Sequence, residues 1–209
     1  MGCLKKIIYL VLAIVVIGLI ASFLLPSEIN VTVNQKVDAP TEAVFAQMND
    51  LKNWDNWSVW NQMDPNWETS YSDNTVGQGA SYSWNSEHKQ VGSGFMEITN
   101  SVANERVDSH MLFGDNGEQG DATGSMILTP DGDGTNVEWT FDTVVKNPIG
   151  KLMFNLMGKG AVTKSFKQGL TNLENYLKEN PVAPIEAAEA AAESALIDST
   201  VMDSTMIDQ

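Results

Sequence analysis

The amino-acid sequence predicts an α+β domain in which a curved, seven-stranded antiparallel sheet packs against a long C-terminal helix, with one transmembrane helix before it. Apolar side chains alternate with a period of two in seven segments, which is typical of half-buried strands. The connections between the last six of these segments are too short for helical crossovers, so the sheet should be antiparallel. Near the C-terminus the apolar period changes to that of a helix. One sheet and one amphipathic helix bury their apolar faces as two layers.

The N-terminal segment is the most apolar part of the chain. Residues 7–25 contain no charge and, at about 1.5 Å per residue, are long enough to cross a hydrocarbon core of about 30 Å. A cleaved signal peptide is less consistent with this length and with the lack of an A-x-A site. Lys5 and Lys6 precede the run and no base follows it closely, so we expect a cytoplasmic N-terminus and an extracytoplasmic (periplasmic) domain.

Composition divides the rest of the chain. The 209 residues have a net charge of −15, a sign that repels a phosphate backbone and argues against nucleic-acid binding. Residues 181–209 contain six acids, no base and no aromatic residue, so we predict a solvated acidic tail. The expected organisation is an anchor at 1–27, a domain at 28–180 and a tail at 181–209. Cys3 is the single cysteine, so no intramolecular disulfide is expected.

The domain begins with a strand marked by Ile29, Val31, Val33 and Val37. After Ala39-Pro40 a helix is predicted to start at the N-cap Thr41 and to run through Asn49, and a second short helix follows around 51–57. Beyond Pro65 the alternation predicts six further strands, centred on Thr69, Tyr82, Met96, 107–113, 122–128 and Trp139.

The chain then returns to helical spacing. Residues 149–157 form one predicted segment and 161–179 a second, with Phe166, Leu170, Leu173 and Leu177 on its apolar face. Gly158-Lys159-Gly160 separates the two, since glycine is about 1 kcal/mol less favourable than alanine within a helix. This break is either a simple helix boundary or a hinge that lets 149–157 act as a gate.

Two consecutive motifs resemble those of a known superfamily. The stretch 36–45, KVDAPTEAVF, followed by 50–60, DLKNWDNWSVW, is similar to the opening of START-like (SRPBCC) helix-grip domains, in particular the polyketide cyclase/dehydrase branch. Shorter pieces at 92–98, 135–139 and 169–173 support the resemblance, which covers about 28–180. It implies a hydrophobic cavity for a lipid, polyketide or other small apolar molecule, and it does not by itself imply catalysis.

Strand and helix phase select the residues expected around such a cavity. Inward positions opposite Glu97, Asp108 and Glu138 supply the sheet wall, two helical segments supply the other side, and two tryptophans form the mouth. The wall is expected from Trp84, Met96, Met111, Met126 and Trp139, the helix side from Met153, Met157 and Phe166, and the mouth from Trp57 and Trp60. The alternative is that these aromatic residues merely fill the core.

Catalytic and metal-binding groups are harder to find. His110 shares the outward phase of its strand and His88 lies in a polar turn, so both are expected at the surface. The inward positions show no acid and base pair, and no ligand-spaced Cys or His motif suggests a metal. We therefore expect neither metal nor cofactor. The favoured function is a membrane-anchored module that binds a small hydrophobic molecule; a cyclase/dehydrase-type enzyme using the same cavity, or a protein-interaction domain with a filled cavity, remain alternatives.

Overall fold

The computed structural model describes residues 2–64 and 66–181. Its first element, helix α1 (Gly2–Leu24), is long and apolar enough over Leu4–Leu24 to cross a membrane. Nearly all described side chains of this stretch are exposed, Phe23 and Leu24 by 69% and 83%. The predicted acidic tail lies outside the described residues, apart from its first position.

A single seven-stranded sheet follows, as predicted. Its strands are β1 (Glu28–Val37), β2 (Glu68–Tyr71), β3 (Ser81–Asn85), β4 (Ser93–Val102), β5 (Arg106–Phe113), β6 (Gly120–Asp131) and β7 (Gly134–Val144). They are hydrogen-bonded in the order β1-β7-β6-β5-β4-β3-β2, and every pairing is antiparallel. The first strand therefore pairs with the last, and the other five follow in reverse chain order towards β2.

Helix α2 (Thr41–Asn49) and two short helical segments cross the sheet between β1 and β2. The predicted N-cap is wrong: Pro40 occupies that position and no side chain caps the helix. The Thr41 hydroxyl instead shares a buried hydrogen bond of 3.0 Å with Thr135, which itself donates to the Ala39 carbonyl. These two threonines thus join the start of α2 to the first residues of β7.

The tryptophan-rich stretch forms a 3₁₀ helix over Leu51–Asn56 and then α3 (Val59–Met63), which the sequence did not predict as a separate helix. Two indole N–H groups of this stretch donate hydrogen bonds to carbonyls in the last turn of α2. Trp54 Nε1 donates to the Met48 carbonyl at 3.0 Å, and Trp57 Nε1 donates to the Gln47 carbonyl at 3.3 Å. Carbonyls in the last turn of a helix have no partner within it. The two indoles therefore cap the C-terminus of α2 while burying their rings.

The C-terminal helical region is continuous across the glycines that were expected to interrupt it. It consists of α4 (Pro148–Met153), one π-helical turn at Phe154–Gly158, and α5 (Lys159–Glu179). A π turn adds a residue to the helical cycle, so it shifts which side chains face the sheet. The irregularity therefore covers Phe154–Gly158, so it ends at the first of the two glycines and leaves Gly160 inside α5.

The core lies between the inner face of the sheet, α2 and α5. The apolar face predicted for the last helix is confirmed: Phe166, Leu170, Leu173 and Leu177 are all at most 5% exposed. Gly169 lies against the Trp139 ring, where a Cβ would make an ordinary van der Waals contact at 3.4 Å.

Candidate functional site

A cavity of about 410 Å³ remains between the sheet, the tryptophan-rich segment and the C-terminal helices. Its size falls within the range of about 300–1,000 Å³ common for small-molecule pockets. Ten of its 21 lining residues are aromatic, and two methionines and two valines add to the apolar surface. The aromatic residues are Trp54, Trp60, Trp67, Tyr82, Trp84, Phe113, Trp139, Phe141, Phe154 and Phe166.

Glycines in the sheet make room for the large side chains of the wall. Trp84 on β3 is paired with Gly94 on β4, and a Cβ at Gly94 would lie 2.3 Å from the Trp84 ring. The indole therefore occupies the space that a side chain at position 94 would need. In the same way, the Met111 methyl lies 3.3 Å from the position of a Cβ on Gly124. These two contacts keep bulky side chains against the sheet and leave the space above them open.

Stacked rings define the helical side. Phe166 on α5 stacks on Trp139 with centroids 3.9 Å apart and planes 6° from parallel. Phe154, in the π turn, lies nearly parallel to Phe141 on β7 with centroids 6.3 Å apart. Trp60 meets both Trp139 and Phe166 edge-on. The sheet and helices thus touch through aromatic contacts at the edges of the cavity.

Polar groups are concentrated at one end of the wall. Lys89 and Gln90 from the β3–β4 connection and Gln119 before β6 are exposed, so they form the rim of this end. The Val91 carbonyl, in the same connection, accepts a hydrogen bond from Trp84 Nε1 at 3.3 Å. The rim is therefore fixed to the aromatic wall by a side-chain contact.

Deeper in the wall the titratable chemistry is limited. Burial raises the pKa of the Tyr82 hydroxyl, so the phenol stays neutral throughout the physiological range. Ser58 and Ser109 are buried hydroxyls, and Ser109 donates to the Gly124 carbonyl at 3.4 Å. Among the described lining residues, Lys89 is the one charged group, and none is a carboxylate or an imidazole. Such a wall can bury apolar surface and offer neutral hydrogen-bonding groups.

Six of the ten residues predicted to surround a cavity lie in this wall. They are Trp60, Trp84, Met96, Met111, Trp139 and Phe166. The shared inward phase of the sheet residues explains most of this agreement. Whether these residues bind a ligand remains a prediction.

The other four predicted residues lie elsewhere. Trp57 is fully buried under the wall, and Trp54 takes the lining position expected for it. Met126 shares the inward face but is packed in the core between Val107 and Trp139. Met153 and Met157 are 49% and 65% exposed, because the π turn brings Phe154 to the cavity in their place.

Sequence reasoning missed Trp54, Trp67, Tyr82 and Phe154 as wall residues. Tyr82 belongs to the same alternation as Trp84, so strand phase alone contained a signal for it. Phe154 had no such signal, because a π turn has no distinctive residue pattern.

Both histidines are away from the cavity wall as described. His110 is outward on β5, and its Nε2 lies 3.8 Å from a carboxylate oxygen of Asp121. His88 is exposed in the β3–β4 connection, where its Nδ1 accepts from the Gln90 backbone at 3.4 Å. Within the described ranges, no group of three or more His, Cys, Asp or Glu side chains is arranged to hold a metal ion.

A two-layer helix-grip domain with an apolar internal cavity is the class of protein that this fold and site define. The sequence agrees, since residues 28–178 match the model of the family described as polyketide cyclase / dehydrase and lipid transport. The chain belongs to this family. No curated protein matches the chain.

Solved structures share the fold at low sequence identity. A protein from Thermus thermophilus is 16% identical with a TM-score of 0.56, covering 74% of this chain and all of its own. One from Mesorhizobium loti is 12% identical with a TM-score of 0.54, at 74% and 100% coverage. A third, from Chromobacterium violaceum, is 14% identical with a TM-score of 0.51, at 70% and 94% coverage. These similarities establish the helix-grip architecture of the domain.

Proposed function

We propose that the chain is a membrane-anchored module that binds one small hydrophobic molecule, lipid-like or polyketide-like, in the cavity between the sheet and the C-terminal helices. The observation that carries this proposal is an aromatic cavity wall whose exposed polar side chains, Lys89, Gln90 and Gln119, lie at one rim. An amphiphile would place its chain against Trp84, Met96 and Met111 and its polar end near Lys89 and Gln119. Residues 7–25 would hold the domain at the membrane, and 28–180 would form the binding unit.

Apolar burial is sufficient to supply the affinity. Removing about 200 Å² of ligand surface from water contributes about 5 kcal/mol before association costs are subtracted. The aromatic wall adds little ordering cost, because stacked rings such as Trp139 and Phe166 are already fixed. The lack of a carboxylate or imidazole among the described lining residues favours binding over a cyclase or dehydrase reaction, which needs a positioned acid or base.

The test is uptake of a fluorescent fatty acid by the full chain in detergent micelles or vesicles. Met111→Arg places a charge on the wall, whereas His110→Arg places the same charge on the outer face of the same strand. We expect Met111→Arg to weaken binding at least about tenfold, because an uncompensated buried charge is strongly disfavoured. His110→Arg should bind as the wild type does.

A second variant covers the case in which Met111→Arg fails to fold. Val162→Trp enlarges an apolar residue of the wall on α5 without introducing charge. Reduced uptake by this variant, with an unchanged circular dichroism spectrum, would support the cavity as the binding site. Wild-type binding that neither substitution alters would place the ligand elsewhere.

A further inference from the structure

The first turns of the C-terminal helical region carry an unusual set of exposed apolar side chains. Ile149, Met153, Leu156 and Met157 are between 49% and 71% exposed, although the adjacent Phe154 lines the cavity. We call these four residues the outer apolar face. They follow one another along α4 and the π turn, so they form one surface next to one wall of the cavity.

Contacts with α1 fix the position of this face relative to the anchor. A Cβ on Gly18 would lie 3.9 Å from Leu152 Cδ2, so α4 runs beside the interior of α1 and not only beside its end. The Lys151 amine, within a residue that is 7% exposed, donates to the Leu25 carbonyl at 3.1 Å. Helix α4 is therefore attached to the last two turns of α1.

The length of the apolar run in α1 determines how deep this helix lies in the bilayer. Residues 7–25 extend about 28 Å as a helix, which is no longer than a hydrocarbon core of about 30 Å. No apolar turn of α1 is left to stand above the membrane. If α1 spans the bilayer, Gly18 and the contacting Leu152 lie inside the hydrocarbon, and the outer apolar face, which belongs to the same helical segment as Leu152, lies in the outer part of the hydrocarbon.

Charge supports the same placement. The chain has a net charge of −15, yet residues 143–173 contain five lysines and no acid. Lys146, Lys159, Lys164 and Lys167 surround the outer apolar face in the sequence. Basic residues beside exposed apolar ones are typical of segments that lie in the interface of a membrane with anionic lipids.

We infer that the outer apolar face is inserted in the membrane that holds α1, so that the cavity beside Phe154 exchanges its ligand directly with the lipid bilayer. This inference rests on the proposed function for both the anchor and the ligand. It adds that the ligand comes from the membrane leaflet, and that Met153 and Leu156 contact lipid.

Depth is measured with a fluorescent probe on single cysteines in a Cys3→Ser background. Leu156→Cys reports the outer apolar face, and Asp133→Cys, in the exposed β6–β7 turn, is the control. The full chain is reconstituted in vesicles whose lipid chains carry a quencher. We expect quenching at position 156 to be at least about threefold that at position 133, because a membrane-inserted face lies near the acyl chains.

Loading is measured by transfer of a fluorescent fatty acid from vesicles to the full chain. The Met153→Glu/Leu156→Glu variant should load about tenfold more slowly and reach the same final occupancy, because its cavity wall is unchanged. Val76→Glu/Val102→Glu, at exposed apolar positions elsewhere, is the matched control and should load at the wild-type rate.

The outcomes separate the two proposals. Equal quenching at positions 156 and 133 would overturn the inference, as would a probe at 156 that is shielded from water but not quenched by lipid, since protein would then cover the face. Equal loading rates of the variant and the wild type would also overturn it. A wild-type chain that takes up no fatty acid from vesicles or micelles would instead contradict the proposed function, whatever the quenching shows.

Discussion

At the scale of single residues, the two indoles that cap α2 have separable roles. Trp57 is fully buried and outside the described wall, whereas Trp54 also lines the cavity. Trp57→Phe leaves the Gln47 carbonyl without its donor, which costs about 1–3 kcal/mol. We expect a fall of several degrees in the melting temperature of the detergent-solubilised chain, with unchanged ligand affinity.

Trp54→Phe is the companion variant and should lower both the melting temperature and the ligand affinity. It removes the donor to the Met48 carbonyl, and it also changes the shape of the cavity wall. Melting followed by circular dichroism, together with fatty-acid titration of the folded protein, distinguishes the two variants. Equal loss of ligand affinity in both would show that stability alone controls binding.

A pH dependence is expected from Asp108 on the outer face of β5. Burial raises the pKa of this carboxyl, but hydrogen bonds from Ser125, Asn100 and Arg106 outweigh it and leave the pKa below its ordinary value. A depressed pKa in the folded state adds stability above the unfolded pKa of about 3.9, and this stability is lost as the pH falls through the folded value.

The check is urea unfolding at pH 7 and at a series of values from pH 4 downwards. Asp108→Asn should be less stable than the wild type at pH 7, and the difference should shrink as the pH falls below about 4. A difference that stays constant with pH would mean that the carboxylate charge contributes nothing.

Strand phase made much of the residue-scale prediction possible. Two-residue alternation placed Met96, Met111 and Trp139 on the inward face, and all three line the cavity. The alternation tells which face of the sheet a side chain is on, but not whether it lies beside the cavity or beside the packed core. Met126 is on the same face as these residues and is packed in the core. Trp54 lies in the 3₁₀ helix and Trp57 follows the last residue of that helix, three positions further on, which is the spacing of one 3₁₀ turn. Spacing alone therefore could not decide which ring would reach the cavity.

At the scale of elements, the two glycines of the C-terminal helices should behave differently. A Cβ at Gly158 would lie 2.8 Å from the Phe154 ring, whereas one at Gly160 meets nothing within 4 Å. Gly160→Ala should stabilise the chain by up to about 1 kcal/mol through helix propensity. Gly158→Ala should displace Phe154 from its place against Phe141 and alter ligand affinity.

Thermal melts and fatty-acid titration of the two variants measure these effects side by side. If Gly158→Ala binds like the wild type, the wall does not depend on the packing of Phe154.

The π turn marks the limit of sequence reasoning for this element. Apolar spacing correctly indicated helix on both sides of the glycines, since i+3 and i+4 contacts repeat in 161–179. An added residue in one turn changes the direction of Met153 and Met157 without changing composition or period. Only tertiary packing, here between Phe154 and Phe141, identifies the side chain that faces inward.

At the scale of the whole molecule, the anchor predicts an orientation that can be tested with cysteine labelling. Cys3, the single native cysteine, should be cytoplasmic, and Asp133→Cys in a Cys3→Ser background should be extracytoplasmic. In intact spheroplasts of a bacterial host, a membrane-impermeant maleimide should label the thiol introduced by Asp133→Cys and should reach Cys3 of the wild type only after lysis. Labelling in the opposite order would reverse the topology, and recovery of the chain in the soluble fraction would exclude the anchor.

The pairing of β1 with β7 also governs when the domain becomes able to fold. Glu28 pairs with Val144, 116 residues further along the chain. At synthesis rates of about 5–20 residues per second, β1 waits roughly 6–23 s for its partner strand to be made. During this interval α1 has already left the ribosome, while β1, with Ile29 and Val31 on its apolar face, has no strand to pair with. If α1 is a membrane anchor as proposed, the order of synthesis favours its insertion first and closure of the sheet last, so that the domain completes its fold at the membrane.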